Sequence, residues 1–187
     1  MEAKRIILAV SGASGSLYAQ SLIKGLIGRD DVELHVIISD AARKVLALET
    51  DLTPEDLTKG ATVHDADDIS APPASGSWRH DGMIICPCSM ATLSAVATGY
   101  GHTLIHRAAD VTLKERGRLI LVPRETPLST IHLQNMLTAT QAGAVILPAC
   151  PGFYHRPATI ADLTDQLAGK VLDQLDIPHS LFRRWGE

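Results

Sequence analysis

The sequence predicts one α/β domain over residues 1–187, three layers deep, with a mostly parallel six-stranded sheet between helices. Three observations carry this. Short apolar runs alternate with helical patterns along the whole chain. No spacer, internal repeat or low-complexity tract breaks the alternation. Twice, an apolar run ends in a turn of small and hydroxyl residues that opens a helix.

The first such unit organises the rest. Residues 6–10 are apolar and run into Ser11-Gly12-Ala13-Ser14-Gly15-Ser16. Tyr18, Ala19, Leu22, Ile23 and Leu26 then recur at near-helical spacing. Glycines at 12 and 15 allow a close backbone approach, and Ser11, Ser14 and Ser16 offer hydroxyls beside the unpaired N–H groups of a helix start. Such a turn can hold a phosphate. It can equally be a well-capped βα turn. Its spacing fits neither the dinucleotide fingerprint nor the P-loop.

Val32, Leu34, Val36 and Ile38 alternate as a second strand, and Ser39 or Asp40 caps a helix over residues 41–48. Thr53-Pro54-Glu55-Asp56 reads as a cap, a proline in the first turn and acids to match it, with the short helix ending by Gly60. Residues 61–64 form a short third strand. Residues 65–77 are a loop. Its acids Asp65, Asp67 and Asp68 suit a solvated face or a cation. Trp78 follows, either plugging the core or walling a ligand.

Residues 83–86 are a buried strand. Pro87-Cys88-Ser89-Met90-Ala91-Thr92 repeats the logic of the first turn and opens a helix through Ala97. Two such turns point to a shared crevice. Residues 104–115 form a helix with Arg107 and Lys114 two turns apart on one face. His102 and His106 have the spacing of a helical metal pair but lack the acid of a metalloprotease motif. Residues 119–122 are a core strand. Pro123-Arg124-Glu125-Thr126-Pro127 follows, placing an adjacent cation and acid at a strand's carboxyl end. Packing does not explain that pair, which is the best candidate for charge chemistry, with a local ion pair as the plainer alternative. Residues 132–141 are helix and 144–147 the last strand. A final helix opens at residue 158, carries Lys170, and leads to the apolar and basic tail Phe182-Arg183-Arg184-Trp185, which suits an oligomer contact.

Composition narrows the classes. With 17 basic and 21 acidic residues the net charge is −4, so no global basic field recommends nucleic acid. No apolar run reaches the roughly 18–20 residues of a membrane span. Residues 1–5 lead straight into a strand and leave no room for a signal peptide. Cys86, Cys88 and Cys150 are an odd, sparse set without zinc spacing, which points to a reducing cytoplasm and small apolar residues at strand ends.

The segments Gly12-Ala13-Ser14-Gly15, Cys86-Pro87-Cys88-Ser89-Met90, Arg107 to Glu115, Pro123 to Ser129 and Pro151-Gly152-Phe153-Tyr154 occur in order. On these the chain resembles the UbiX/Pad-type flavin prenyltransferases over nearly its full length. The resemblance implies a Rossmann-like fold of the HFCD flavoprotein type, dodecamers built from trimers, and transfer of a dimethylallyl group from dimethylallyl monophosphate to N5 and C6 of reduced FMN. The prenylated FMN then serves a UbiD-type decarboxylase. By position, Gly12, Ala13, Ser14, Ser39, Ser89, Met90, Ala91, Thr92 and Arg124 would hold FMN. Arg107, Lys114, Tyr154 and Lys170 would hold the donor phosphate. Glu125 would move protons, Trp78 would wall the allyl group, and Ser14 would join them in catalysis. No metal is implied: cations and a tyrosine hydroxyl can stabilise the departing phosphate, and an aromatic face an allyl cation. Lys170 departs from the family's commoner arginine, and Thr103 from its commoner asparagine. The related flavin-dependent cysteine decarboxylases are the alternative, but their Asn-rich and Pro-x-Met-Asn motifs are missing here. A non-catalytic flavin carrier would have no need of Glu125 or the cation set.

Overall fold

A computed structural model describes residues 3–186. Met1, Glu2 and Glu187 lie outside the described residues. Six strands form one sheet: β1 (Lys4–Val10), β2 (Val32–Ile38), β3 (Thr62–Asp65), β4 (Gly82–Cys88), β5 (Leu119–Pro123) and β6 (Val145–Ile146). Their order is β3-β2-β1-β4-β5-β6 and every neighbouring pair is parallel. Among the described residues, seven α-helices connect and flank them: α1 (Ser16–Leu26), α2 (Asp40–Glu49), α3 (Pro54–Leu57), α4 (Met90–Thr98), α5 (Leu104–Lys114), α6 (Thr130–Gln141) and α7 (Ile160–Asp173).

Both faces of the sheet are covered, which is why its strands read as unbroken apolar runs. Ile6, Leu8 and Val10 of β1 pack on one side in the cluster that includes α1 and α7 residues. Ile7 and Ala9 pack on the other with Met83, Ile85 and residues of α4 and α5. The alternation in β2 does not mark a wet face, since Leu34 to Ile38 are all buried.

Local chemistry fixes the helix starts. Ser39, Thr53, Ser89, Ser129 and Thr159 each accept a backbone N–H of the first turn. Ser129 and His132 form a reciprocal cap, so α6 starts at Thr130, before the expected 132. Thr159 and Asp162 do the same for α7. The last strand is shorter than expected. The sheet order reverses between β1 and β4, and the crevice at the carboxyl ends of those strands is where ligands of open α/β sheets bind.

Candidate active site

Three turns meet at that crevice: β1–α1, β4–α4 and β5–α6. They border a cavity of about 360 Å³ lined by Gly12, Ala13, Ser14, Ser89, Met90, Arg124 and Glu125, with Val45, Leu48 and Glu49 of α2 on the remaining side. That is within the usual size range of small-ligand pockets. α2 lies across the carboxyl end of the sheet. A Cβ on Gly12 would collide with the Ala41 methyl, so glycine is what lets the first turn and α2 close up. Gly15 has φ +124°, a left-handed backbone that side chains rarely adopt.

The three serines of the first turn have different fates. Ser14 is exposed at the cavity. Ser11 and Ser16 are buried and do not face a ligand, contrary to the expectation for that turn. The expected anion seat at the start of α1 is taken by a carboxylate of the chain itself. Gly15 N–H donates to both Glu49 oxygens at 3.0 Å, and Ser16 N–H donates to Oε2 at 2.7 Å. Burial pushes the Glu49 pKa up, but hydrogen bonds from Ser14, Ser16 and Gly15 outweigh it and hold the carboxyl below its ordinary value.

Glu49 is the site residue that sequence reasoning missed. It had one legible signal. An acid in the last turn of α2, with no base beside it, opposes its own helix dipole. Such a carboxylate belongs to another helix's amino end.

Arg124 and Glu125 do not pair with each other. Arg124 Nε donates to the Ser14 carbonyl at 3.0 Å, and the Glu125 carboxylate accepts the Thr126 N–H at 2.9 Å. Both line the cavity, so the local ion pair is not what the structure shows. Ser89 caps α4, and its hydroxyl donates to Thr92 Oγ1 at 3.0 Å. Thr92 is thereby turned inward and buried; Ala91 is exposed but does not line the cavity. Ser39 is occupied as the cap of α2.

Tyr154 and Lys170 come together in a second, larger groove of about 1310 Å³, bounded by the 152–156 loop, α7 and the tail. Tyr154 is 83% exposed and meets Trp185 edge to face at 5.0 Å. Lys170 stands 3.8 Å from Asp173, whose carboxylate chiefly serves Arg184 and His179. The segment leading to the 152–156 loop is tied to the end of β5, where Ala149 N–H donates to the Pro123 carbonyl, next to Arg124.

Trp78, Arg107 and Lys114 form a separate group in the single chain. Trp78 is half-buried, edge-on to His35 at 4.8 Å and under the Arg5 guanidinium at 4.6 Å. Arg5 precedes Val10 by about 16 Å of strand at the usual rise. The tryptophan therefore sits toward the amino ends of the strands, away from the cradle. Arg107 donates to the Ala74 carbonyl and pairs with Asp110 at 2.7 Å. Lys114 pairs with Glu115, and a Cβ on Gly76 would strike both. The two cations thus flank one loop segment, residues 74–76, as their spacing predicts.

The remaining candidates are structural. Cys86 and Cys88 are fully buried, and burial pushes both thiols up, that of Cys88 to about 12. His102 precedes the Thr103 cap of α5, so it and His106 are not a helical pair. Asp65 and Asp68 are used by the N–H groups of Asp67 and Ser70 in loop turns.

The cradle's chemistry fits a flavin mononucleotide. Its floor is small residues, its edge carries a guanidinium whose terminal nitrogens make no protein hydrogen bond among the described residues, and Val45 and Leu48 offer an apolar wall. This is the architecture of a flavin-binding α/β protein, and the family described as Flavoprotein matches residues 1–184. Flavin prenyltransferase UbiX of Thauera aromatica is 51% identical, over 97% of this chain and 93% of that protein. The crystal structure of AnUbiX (PadA1) in complex with FMN and dimethylallyl pyrophosphate superposes with a TM-score of 0.95 at 47% identity, covering 100% of this chain and 99% of that one. A dodecameric FMN-dependent UbiX-like decarboxylase from Escherichia coli O157:H7 gives 0.95 at 41% identity, over 98% and 100%. The chain belongs to the UbiX family of flavin prenyltransferases.

Proposed function

We propose that this protein joins a dimethylallyl group from dimethylallyl monophosphate to N5 and C6 of reduced FMN, and hands the prenylated FMN to a UbiD-type decarboxylase in the cytoplasm. The observation that carries the reading is the cradle at the sheet's switch point, with Arg124 and Glu125 on its rim; Tyr154 and Lys170 meet in a second groove. No described helix is long and apolar enough to cross a membrane.

Gly12, Ala13, Ser14, Ser89 and Met90 form the cradle's floor, and Arg124 its cationic edge. Ser39 and Thr92 shape the helix starts beneath it, and Ala91 extends one of them. Reduced FMN, when bound, supplies the two nucleophilic positions. Tyr154 and Lys170 grip the donor phosphate, with Arg107 and Lys114 as further cations. As the carbon–oxygen bond breaks, its electron pair leaves on the phosphate, and these groups stabilise that charge without a metal. The N5 proton would leave with the phosphate; closing the ring at C6 would add a proton to the allyl double bond and release one from C6, and Glu125 would relay it. The Trp78 face would stabilise positive charge on the allyl group.

One chain keeps Trp78 and Lys114 away from its own cradle, so a site using them is completed by a neighbouring copy. The surface of α6 supports assembly. Only Ala139 of that helix is buried, while Ile131, Leu133 and Leu137 are exposed. Three large apolar side chains exposed on one helix suit a surface that another protein covers. The cysteine-decarboxylase alternative is disfavoured by its two missing motifs.

The test is anaerobic incubation with reduced FMN and dimethylallyl monophosphate, followed by mass spectrometry of the flavin. A gain of one dimethylallyl unit is expected, with release of inorganic phosphate. Flavin of unchanged mass would overturn the reading.

A further inference from the structure

We infer that Ser11 is a positioning residue for flavin binding, acting through the cradle and not by touching the ligand. The inference rests on the cradle being the flavin site.

Ser11 is 2% exposed, yet it sits at the start of the first turn. Its hydroxyl donates to the Pro87 carbonyl at 2.9 Å and accepts the Ser89 N–H at 2.8 Å. Its own N–H also reaches the Pro87 carbonyl, at 3.2 Å. One side chain therefore ties the β1–α1 turn to the β4–α4 turn on both sides of Cys88. The circle is completed elsewhere. Arg124 N–H donates to the Cys88 carbonyl at 3.3 Å, and Arg124 Nε donates to the Ser14 carbonyl. Three turns are thus joined pairwise in a closed ring of hydrogen bonds around the cavity floor. Ser11 supplies its only buried side chain.

The need for such a link is visible in the strands. The pairing of β4 with β5 shifts register between Ile85 and Cys88, and that of β4 with β1 is recorded only as far as Ile85. Regular ladder pairing therefore stops short of residues 86–89; one backbone bond, Ser11 N–H to the Pro87 carbonyl, and the two bonds of the serine hydroxyl hold them against the first turn. Without it, the Ser89 N–H loses its acceptor at a part-buried position, a cost the turn can reduce by moving. Ser89 and Met90, on the cavity wall, would move with it.

The experiment uses the full-length protein as it assembles, with Ser11→Ala, Ser11→Thr and a distant control, Thr58→Val. Thr58 is buried, its hydroxyl bonds only the Pro54 carbonyl, and it lies away from the cradle. FMN affinity is read by flavin fluorescence, KM for FMN and kcat by product formation, and Tm by calorimetry. Ser11→Ala should weaken FMN binding about 10-fold, as expected for one lost buried link. KM should rise in parallel while kcat at saturating FMN stays within about twofold. Ser11→Thr, which keeps the hydroxyl, should restore affinity. Thr58→Val should lower Tm without changing FMN affinity. If Ser11→Ala loses Tm but binds FMN like wild type, or if Ser11→Thr is as weak as Ser11→Ala, the inference is overturned. If wild type itself binds no FMN, the cradle reading fails first.

Discussion

The carboxylate of Glu49, at the last residue of α2, caps the amino end of α1 through Ser16 N–H at 2.7 Å. The relation joins two helices that the sequence separates by a whole strand, and it puts a second acid, beside Glu125, at the cavity.

Glu49→Gln should therefore destabilise the protein at neutral pH. A charged partner at an exposed helix end contributes about 0.5–1 kcal/mol, so Tm should fall by about 1–4 °C in a chain of this size. The folded-state pKa of Glu49 is depressed, so this contribution is present above the ordinary glutamate value and is lost as pH falls through the folded value. Calorimetry of both proteins across the acid range should show the gap closing below about pH 4. A gap that persists in strong acid would mean that packing, not charge, is responsible.

Three histidines give a signature of the same sign nearer neutrality. Burial lowers the pKa of His64, His80 and His106. For each, the unfolded chain takes up a proton before the folded one, so stability should be flat above about pH 6.5 and decline below it. His80 bonds Thr112 Oγ1 at 2.9 Å, which holds its half-buried ring in place. Urea titrations of His80→Gln should show a shallower decline than wild type. An identical slope would remove His80 from the account.

Glu125→Gln should leave FMN binding within about twofold and slow product formation by about 100-fold or more, the usual scale for a positioned proton-transfer group. Fluorescence titration and turnover measure the two separately. Unchanged turnover would take the proton-transfer role from Glu125.

Trp78→Ala discriminates a structural tryptophan from a functional one. Its contacts with His35 and Arg5 predict a loss of stability in either case. If it also walls the allyl group in the assembled protein, turnover at saturating FMN should fall further than FMN affinity does. Equal losses would make it a packing residue.

Much of this was legible in the sequence for plain reasons. Unbroken apolar strands, hydroxyl caps and helical spacing specify the doubly covered parallel sheet, and the two small-residue turns mark the crevice. What was hidden is side-chain direction and partner. Ser11, Ser14 and Ser16 look alike in sequence, but only Ser14 is exposed at the cavity. Arg124 beside Glu125 suggests an ion pair, yet the two use backbone groups on either side. Trp78 follows a loop, but the return to β4 carries it down to Arg5. These outcomes depend on contacts between distant segments, which local pattern does not encode.

The account's central claim is that cations and an acid converge on one donor phosphate beside a flavin. A crystal structure of the assembled protein with FMN and dimethylallyl monophosphate measures it directly. The account predicts the phosphate within hydrogen-bond distance, about 3 Å, of Tyr154 and Lys170, with Arg107 or Lys114 supplied by a neighbouring copy. A donor bound with its phosphate away from all four residues would contradict it.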